Sequence, residues 1–280
     1  MIKIDFNPPT TDAWNHWRAK CDLATQAVIE LFGRGEPIEF TDLYKEQKPA
    51  YMSIDGAFHG KCVYCESLIS ADQPGDLDHF RPKGRVTDAA GNAIMVSDGH
   101  GHDLPHPGYY WLAYDWSNLL ASCEDCNRPS RQKTKGARRI GKWDQFPVRG
   151  THAANPGEEL AEQPLLINPT NQDPAVHISV DDTGVFGGKT DEGKTCIDIF
   201  GLNDRDALVD SRIRMYRDTM NKILALAVAL HFGCGDKATA LLKELKEIKE
   251  GRQPYTAAAR VAIQEGGARL EPLFQVLSQN

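Results

Sequence analysis

Four cysteines fall in two C-x-x-C pairs, Cys62/Cys65 in "KCVYCE" and Cys123/Cys126 in "LASCEDCN", with 57 residues between the pairs (66 to 122). Zinc in a structural site takes four ligands tetrahedrally, and thiolates suit it; a C-x-x-C turn presents two of them to one ion. Two such knuckles complete a site, so the spacing predicts a Zn2+ ion that staples two distant segments. A redox dithiol or an accidental pair is the competing reading. Cys21, Cys196 and Cys234 stand alone among the seven cysteines and read as small buried hydrophobes.

Three further positions carry polar chemistry. Asp78 and His79 are adjacent in "DLDHF". On an extended segment neighbours point to opposite faces, so one can hold a metal while the other addresses substrate; turn or surface chemistry is the plain alternative. Arg81, Lys83 and Arg85 follow at once in "RPKGR" and could hold a phosphate. Asn118 in "YDWSNLL" is either a turn former or a residue that orients a histidine by accepting its ring N–H. Asn127 directly follows Cys126, so a zinc knuckle would fix it too. Its amide oxygen suits a hard cation such as Mg2+, or its side chain caps a helix, with Pro129 fitting a first helical turn.

From Arg128 to Lys142 there are seven cations (Arg128, Arg131, Lys133, Lys135, Arg138, Arg139 and Lys142) and no Asp or Glu, in a chain of net charge −7. Such runs are often solvated surface. Here the run begins at a knuckle, which favours contact with a nucleic-acid backbone.

These residues need elements to position them. Hydrophobic residues make up 41% and charged residues 25% of 280, enough for a core without covalent staples. Trp14, Trp17, Cys21, Ala24, Val28 and Leu31 recur at helical spacing and predict a helix over 11–32, with Asp12 as its N-cap. A shorter helix is expected around 42–52. The stretch "GHGHDLPHPG", with His100, His102 and His106, reads as an inserted loop. "PLLIN" and "VHISV" read as strands of a hairpin over 165–188, turning at "DDTG". Helices are expected over 204–232, 236–249 and 255–277, the last broken by Pro272. The expected fold class is α+β and mainly helical, in four segments: 1–58 helical, 59–150 bearing the cysteines, 151–202 a hairpin extension, and 203–280 helical. The longest apolar run, Ile223 to Phe232, is far short of the ~20 residues of a membrane span. No signal peptide is evident, so a cytoplasmic location with no membrane partner is expected.

The order Asp-His, Asn, then C-x-x-C-Asn followed by Lys and Arg resembles the HNH endonuclease family. "KCVYCE", "DHFRPKGR", "YYWLAYDWSNLLASCEDCN", "FPV", "PLLINPTNQDP" and "FGLN" occur in sequence. Over about 62–202 they look like the HNH component of Septu-type and retron-associated anti-phage systems. The long basic stretch between Asn127 and "FPV" is a departure from that pattern. The resemblance implies a ββα-metal core of two strands and a helix around one divalent cation. It implies His79 as general base, oriented by Asn118. Asp78 and Asn127 would bind a catalytic Mg2+ or Mn2+, with Asn127 at a position where many relatives carry His. The zinc would be structural, the substrate DNA, and an ATPase a partner protein. A zinc-stapled nucleic-acid-binding or adaptor module without catalysis keeps the cysteines and basic run and discards the rest.

Overall fold

Helix α1 (Asp12–Gly33) buries Trp14, Trp17, Cys21 and Val28 on one stripe. Its N-cap is Thr11, one residue before the expected Asp12; the Thr11 hydroxyl accepts from the Trp14 N–H at 3.2 Å. The computed structural model describes residues 1–69, 75–97, 101–131 and 139–277, with side chains described for all of these except 130, 131 and 271–277. After α1 comes a 3-10 turn (Asp42–Gln47) that runs into the short helix α2 (Lys48–Met52). Trp17 docks this segment by donating its indole N–H to the Leu43 carbonyl at 2.9 Å.

Strand β1 (Gly75–His79) is followed by the short pair β2 (Met95–Ser97) and β3 (Asp103–Pro105). The histidine-rich stretch expected as a loop thus contributes a strand. Strand β4 (Leu119–Cys123) pairs antiparallel with β1, placing His79 opposite Leu119 and Gly75 opposite Cys123. All five β4 residues are buried. Helix α3 (Glu124–Asn127), a single turn, follows directly. Two strands and a helical turn therefore carry Asp76, Asp78, His79 and Asn127 within one small unit.

Strands β5 (Ser130–Arg131) and β6 (Arg139–Ile140) pair, so Pro129 leads into a strand rather than opening a helix. Beyond β6 the chain crosses the end of α3. Lys142 and Trp143 donate their N–H groups to the carbonyls of Cys126 and Asn127 at 2.8 and 2.7 Å. Gly141 has φ +98°, and a Cβ there would collide with the Arg128 carbonyl, so this crossing requires glycine.

Strand β7 (Val148–Arg149) pairs with β8 (Gln163–Pro164). Pro164 of "PLLIN" thus ends β8, and the rest of the stretch lies in no strand, with Leu166 and Ile167 buried in the core. After the short helix α4 (Pro174–His177), the hairpin is β9 (Ile178–Val180) with β10 (Phe186–Gly188). Helices α5 (Asp191–Ile199), α6 (Asp206–His231), α7 (Gly235–Lys249) and α8 (Thr256–Leu277) complete the chain. α8 continues past Pro272, since proline removes one hydrogen bond of a helix without always ending it. The largest core joins Trp14, Tyr51, Tyr64, Leu120, Phe146 and Phe200, and two smaller clusters lie among α6, α7 and α8. The architecture is α+β with small two-stranded sheets. None of the described helices is long and apolar enough to cross a membrane.

Candidate functional site

The four cysteines of the two pairs converge. Cys62, Cys65, Cys123 and Cys126 are buried, and their sulfurs all lie within 4.8 Å of one another. Zn–S bonds of ~2.3 Å place tetrahedral sulfurs about 3.8 Å apart, and the Cys65 and Cys123 sulfurs are 3.7 Å apart. The knuckle turns through Glu66, at φ +65°, with its N–H on the Cys62 carbonyl. Burial pushes the Cys62 and Cys126 thiols well up, whereas hydrogen bonds from the other three cysteines pull Cys65 well down, so a cation is needed to hold all four as thiolates. Arg205 supplies part of that charge: its guanidinium donates to the Cys126 sulfur at 3.2 Å and to the Phe200 carbonyl at 2.9 Å. The residues and their spacing fit zinc, and Arg205 ties α6 to the centre.

Beside β1 lies a cleft of about 430 Å³, lined among others by Tyr44, Asp76, Asp78, His79, Lys83 and Asn127. His79 is 8% exposed. Its Nε2 is 2.9 Å from the Ala113 carbonyl and therefore carries the proton, which makes Nδ1 the basic nitrogen. The Tyr44 ring stands edge-on to the imidazole at 4.8 Å. Burial, helped by Lys83 nearby, lowers the imidazole to about 3, so it is neutral at physiological pH.

The Asn118 side chain makes its hydrogen bonds away from this ring. Its Oδ1 accepts from the Arg81 N–H at 2.8 Å, and its Nδ2 donates to the carbonyls of Arg81 and Leu112, each at 3.1 Å. It thus ties the turn after β1 to the segment that presents Ala113. The ring-orienting acceptor expected of Asn118 is the Ala113 carbonyl, and Asn118 positions that segment instead.

Asp78 accepts from the Tyr64 hydroxyl at 2.7 Å and from the Lys142 ammonium at 2.8 Å. Lys142, wholly buried, also donates to the His79 carbonyl at 2.6 Å. Burial pushes the Asp78 carboxyl up, and Lys142 and Tyr64 oppose that. Tyr64 in turn stacks on Phe200 of "FGLN" at 3.9 Å. Asp76 is held by two N–H groups of Arg128, at 2.9 and 3.0 Å, and by the Asn127 Nδ2 at 3.1 Å. Asn127 is the last residue of α3, whose N-cap is Cys123, so it does not cap the helix's start. Its Nδ2 is engaged, and its Oδ1 has no donor among the described residues. Asp78 and Asn127 are hard oxygen donors on one cleft and fit a divalent cation by donor type.

The expected phosphate-binding cations divide. Arg81 turns inward onto Glu162 at 2.9 Å and lies over the Phe146 ring at 5.3 Å. Arg85 pairs with Asp144, and Arg128 with Asp76 and Glu124. Lys83 faces the cleft, its ammonium 4.1 Å from the centre of the Tyr44 ring. Arg139 is exposed on β6. Lys133, Lys135, Arg138 and the Arg131 side chain lie outside the described residues, as does His100. His106 is buried with both ring nitrogens engaged, by the Ala153 carbonyl and the Gly108 N–H. Sequence reasoning missed Lys45 and Lys48, which line the cleft, and also the buried roles of Lys142 and Arg205.

No protein-family model matches the chain, and no solved structure matches it. Two curated relatives do. The Septu protein PtuB of Bacillus mycoides (strain KBAB4) is 36% identical over 181 residues, 63% of this chain and 54% of that protein. The Septu protein PtuB of Bacillus thuringiensis is 28% identical over 187 residues, 66% of this chain and 53% of that protein. The chain thus spans about half the length of the curated relatives it matches, and along that span it is similar to Septu PtuB proteins.

Proposed function

We propose that this chain is an HNH-type endonuclease that hydrolyses DNA phosphodiester bonds in an anti-phage defence system, together with an ATPase partner. The observation that carries the reading is His79. Its Nε2–H is committed to a backbone carbonyl, which leaves the Nδ1 lone pair as the ring's only base, and the ring lines a cleft with Lys45, Lys48 and Lys83. The order β1, β4, α3 around that cleft supports an HNH core, and the likeness to Septu PtuB proteins supports the defence role.

The lysines draw a phosphodiester into the cleft. Its negative charge beside His79 raises the imidazole from about 3 and makes Nδ1 a better acceptor for a proton from attacking water. Lys142 and Tyr64 fix the Asp78 carboxylate, and α3 fixes Asn127. A Mg2+ or Mn2+ ion held by Asp78 and Asn127 would supply Lewis-acid charge to the phosphate and the departing oxygen. The zinc, with four thiolates and no open position, is structural.

The test is plasmid DNA with Mg2+ or Mn2+ and the partner ATPase, comparing wild type with His79→Ala. Wild type should nick or cut, and the variant should lose at least ~10²-fold of the rate while retaining DNA binding. Equal activity of the two proteins overturns the role of His79. Binding by both with cleavage by neither favours the non-catalytic module.

A further inference from the structure

The cleft carries an aromatic surface that phosphate chemistry does not use. Trp143 lines it beside Asn127 and Asp144 and is 41% exposed. Its backbone has φ +48°, a left-handed conformation that bulky residues rarely adopt. Two hydrogen bonds keep it there: the Trp143 N–H on the Asn127 carbonyl at 2.7 Å, and the neighbouring Lys142 N–H on that of Cys126 at 2.8 Å. The other aromatic side chains of the cleft are occupied. Tyr44 packs on His79 and under Lys83, and the Lys83 ammonium also lies 4.9 Å from the centre of the Phe40 ring. The Trp143 indole stacks on no ring or cation among the described residues, and its N–H has no acceptor there.

A part-exposed indole lining a cleft with Lys45, Lys48 and Lys83 matches what single-stranded nucleic acid requires: cations for the backbone and a flat π surface for a base. Bases within a duplex are stacked on one another and cannot cover an indole without leaving the helix.

We propose that Trp143 is a stacking platform for an unpaired base next to the scissile phosphate, so that the cleft takes single-stranded or locally unpaired DNA in preference to intact duplex. This rests on the nuclease reading and narrows its substrate class. The Asn127 carbonyl that holds Trp143 belongs to the residue assigned to the catalytic cation, so the base and the reacting phosphate share one support.

The test is fluorescence anisotropy with a labelled single-stranded oligonucleotide, the same oligonucleotide made abasic, and a paired duplex, without added Mg2+ or Mn2+. Trp143→Ala should weaken binding of the base-bearing strand by roughly 5- to 100-fold. It should leave binding of the abasic strand within about twofold, and Trp143→Phe should recover most of the loss. Wild type should bind the duplex more weakly than the single strand. Equal losses on base-bearing and abasic strands, no loss at all, or a preference for duplex overturns the platform alone. Wild type that binds none of the three overturns the nucleic-acid reading with it.

Discussion

Lys142→Met removes the buried cation on which the cleft's geometry depends. The Lys142 ammonium has no exposed surface and bridges the Asp78 carboxylate and the His79 carbonyl; in the variant Tyr64 is the partner left to Asp78 among the described residues. Methionine keeps most of the stem's volume, so the loss is mainly charge and hydrogen bonds. Breaking a buried pair by removing one partner costs about 3–5 kcal/mol, because an uncompensated charge stays inside. With an unfolding entropy of ~2.1 cal/mol/K per residue over 280 residues, that lowers the melting temperature by about 5–9 °C. Asp78→Asn with Lys142→Met removes both charges and should recover most of the loss, giving a coupling energy above ~2 kcal/mol in a double-mutant cycle. Acid provides a second signature. Without Lys142 the Asp78 carboxyl, already raised by burial, rises further. The folded variant then binds a proton more tightly than the unfolded chain, so its stability deficit relative to wild type is full at neutral pH and shrinks as pH falls. The assay is calorimetry or urea unfolding of the four proteins at pH 7 and pH 5. A single variant melting within ~1 °C of wild type, or strictly additive effects in the cycle, would refute the reasoning.

Zinc should co-purify with the protein, and Cys126→Ser should lose it and melt lower. Arg205→Leu should keep the ion but yield it to a chelator with ~10–100-fold weaker affinity; folded wild type of normal stability without bound zinc refutes the structural role. His79 is held at about 3 in the fold against an ordinary 6.5, so the unfolded chain binds the extra proton between those values. Its contribution is therefore intact above about pH 6.5 and drains away as pH falls toward 3, by up to about 5 kcal/mol. His79→Gln should lose less stability than wild type between pH 7 and pH 4.5, and equal losses on the two urea curves refute the burial argument.

The cysteine quartet and α1 were legible in the sequence because both signals are local. A C-x-x-C turn forms from its own four residues, and the stripe Trp14, Trp17, Cys21, Val28 needs only helical periodicity. "PLLIN" misled because an apolar run reads as a strand wherever it is buried; here only Pro164 pairs with a strand, and Leu166 and Ile167 pack among core side chains. Arg81 looked like a surface cation. It lies inside because Glu162, 81 residues away in sequence, meets it beside the Phe146 ring. Lys142 was the last member of a basic run, and no count of charges distinguishes a solvated lysine from one closed over a buried aspartate.

The same limit applied to Asn118, whose residue type announced a hydrogen-bonding role but not its partners. Sequence supplies the types of polar atom, whereas the fold decides which of them are consumed by one another. In this cleft the Asp78 and Asp76 side chains are largely spent on Lys142 and Arg128, and behind it Asn118 is spent on the Arg81 backbone. What remains is the basic nitrogen of His79, the Lys45, Lys48 and Lys83 ammonium groups, the lone pairs that Lys142 and Tyr64 leave on Asp78, the Asn127 amide oxygen and the part-exposed indole of Trp143. A role argued for this cleft has to be argued from those remaining atoms, and they are the ones that a proton, a phosphate, a hard cation and an unpaired base would each require.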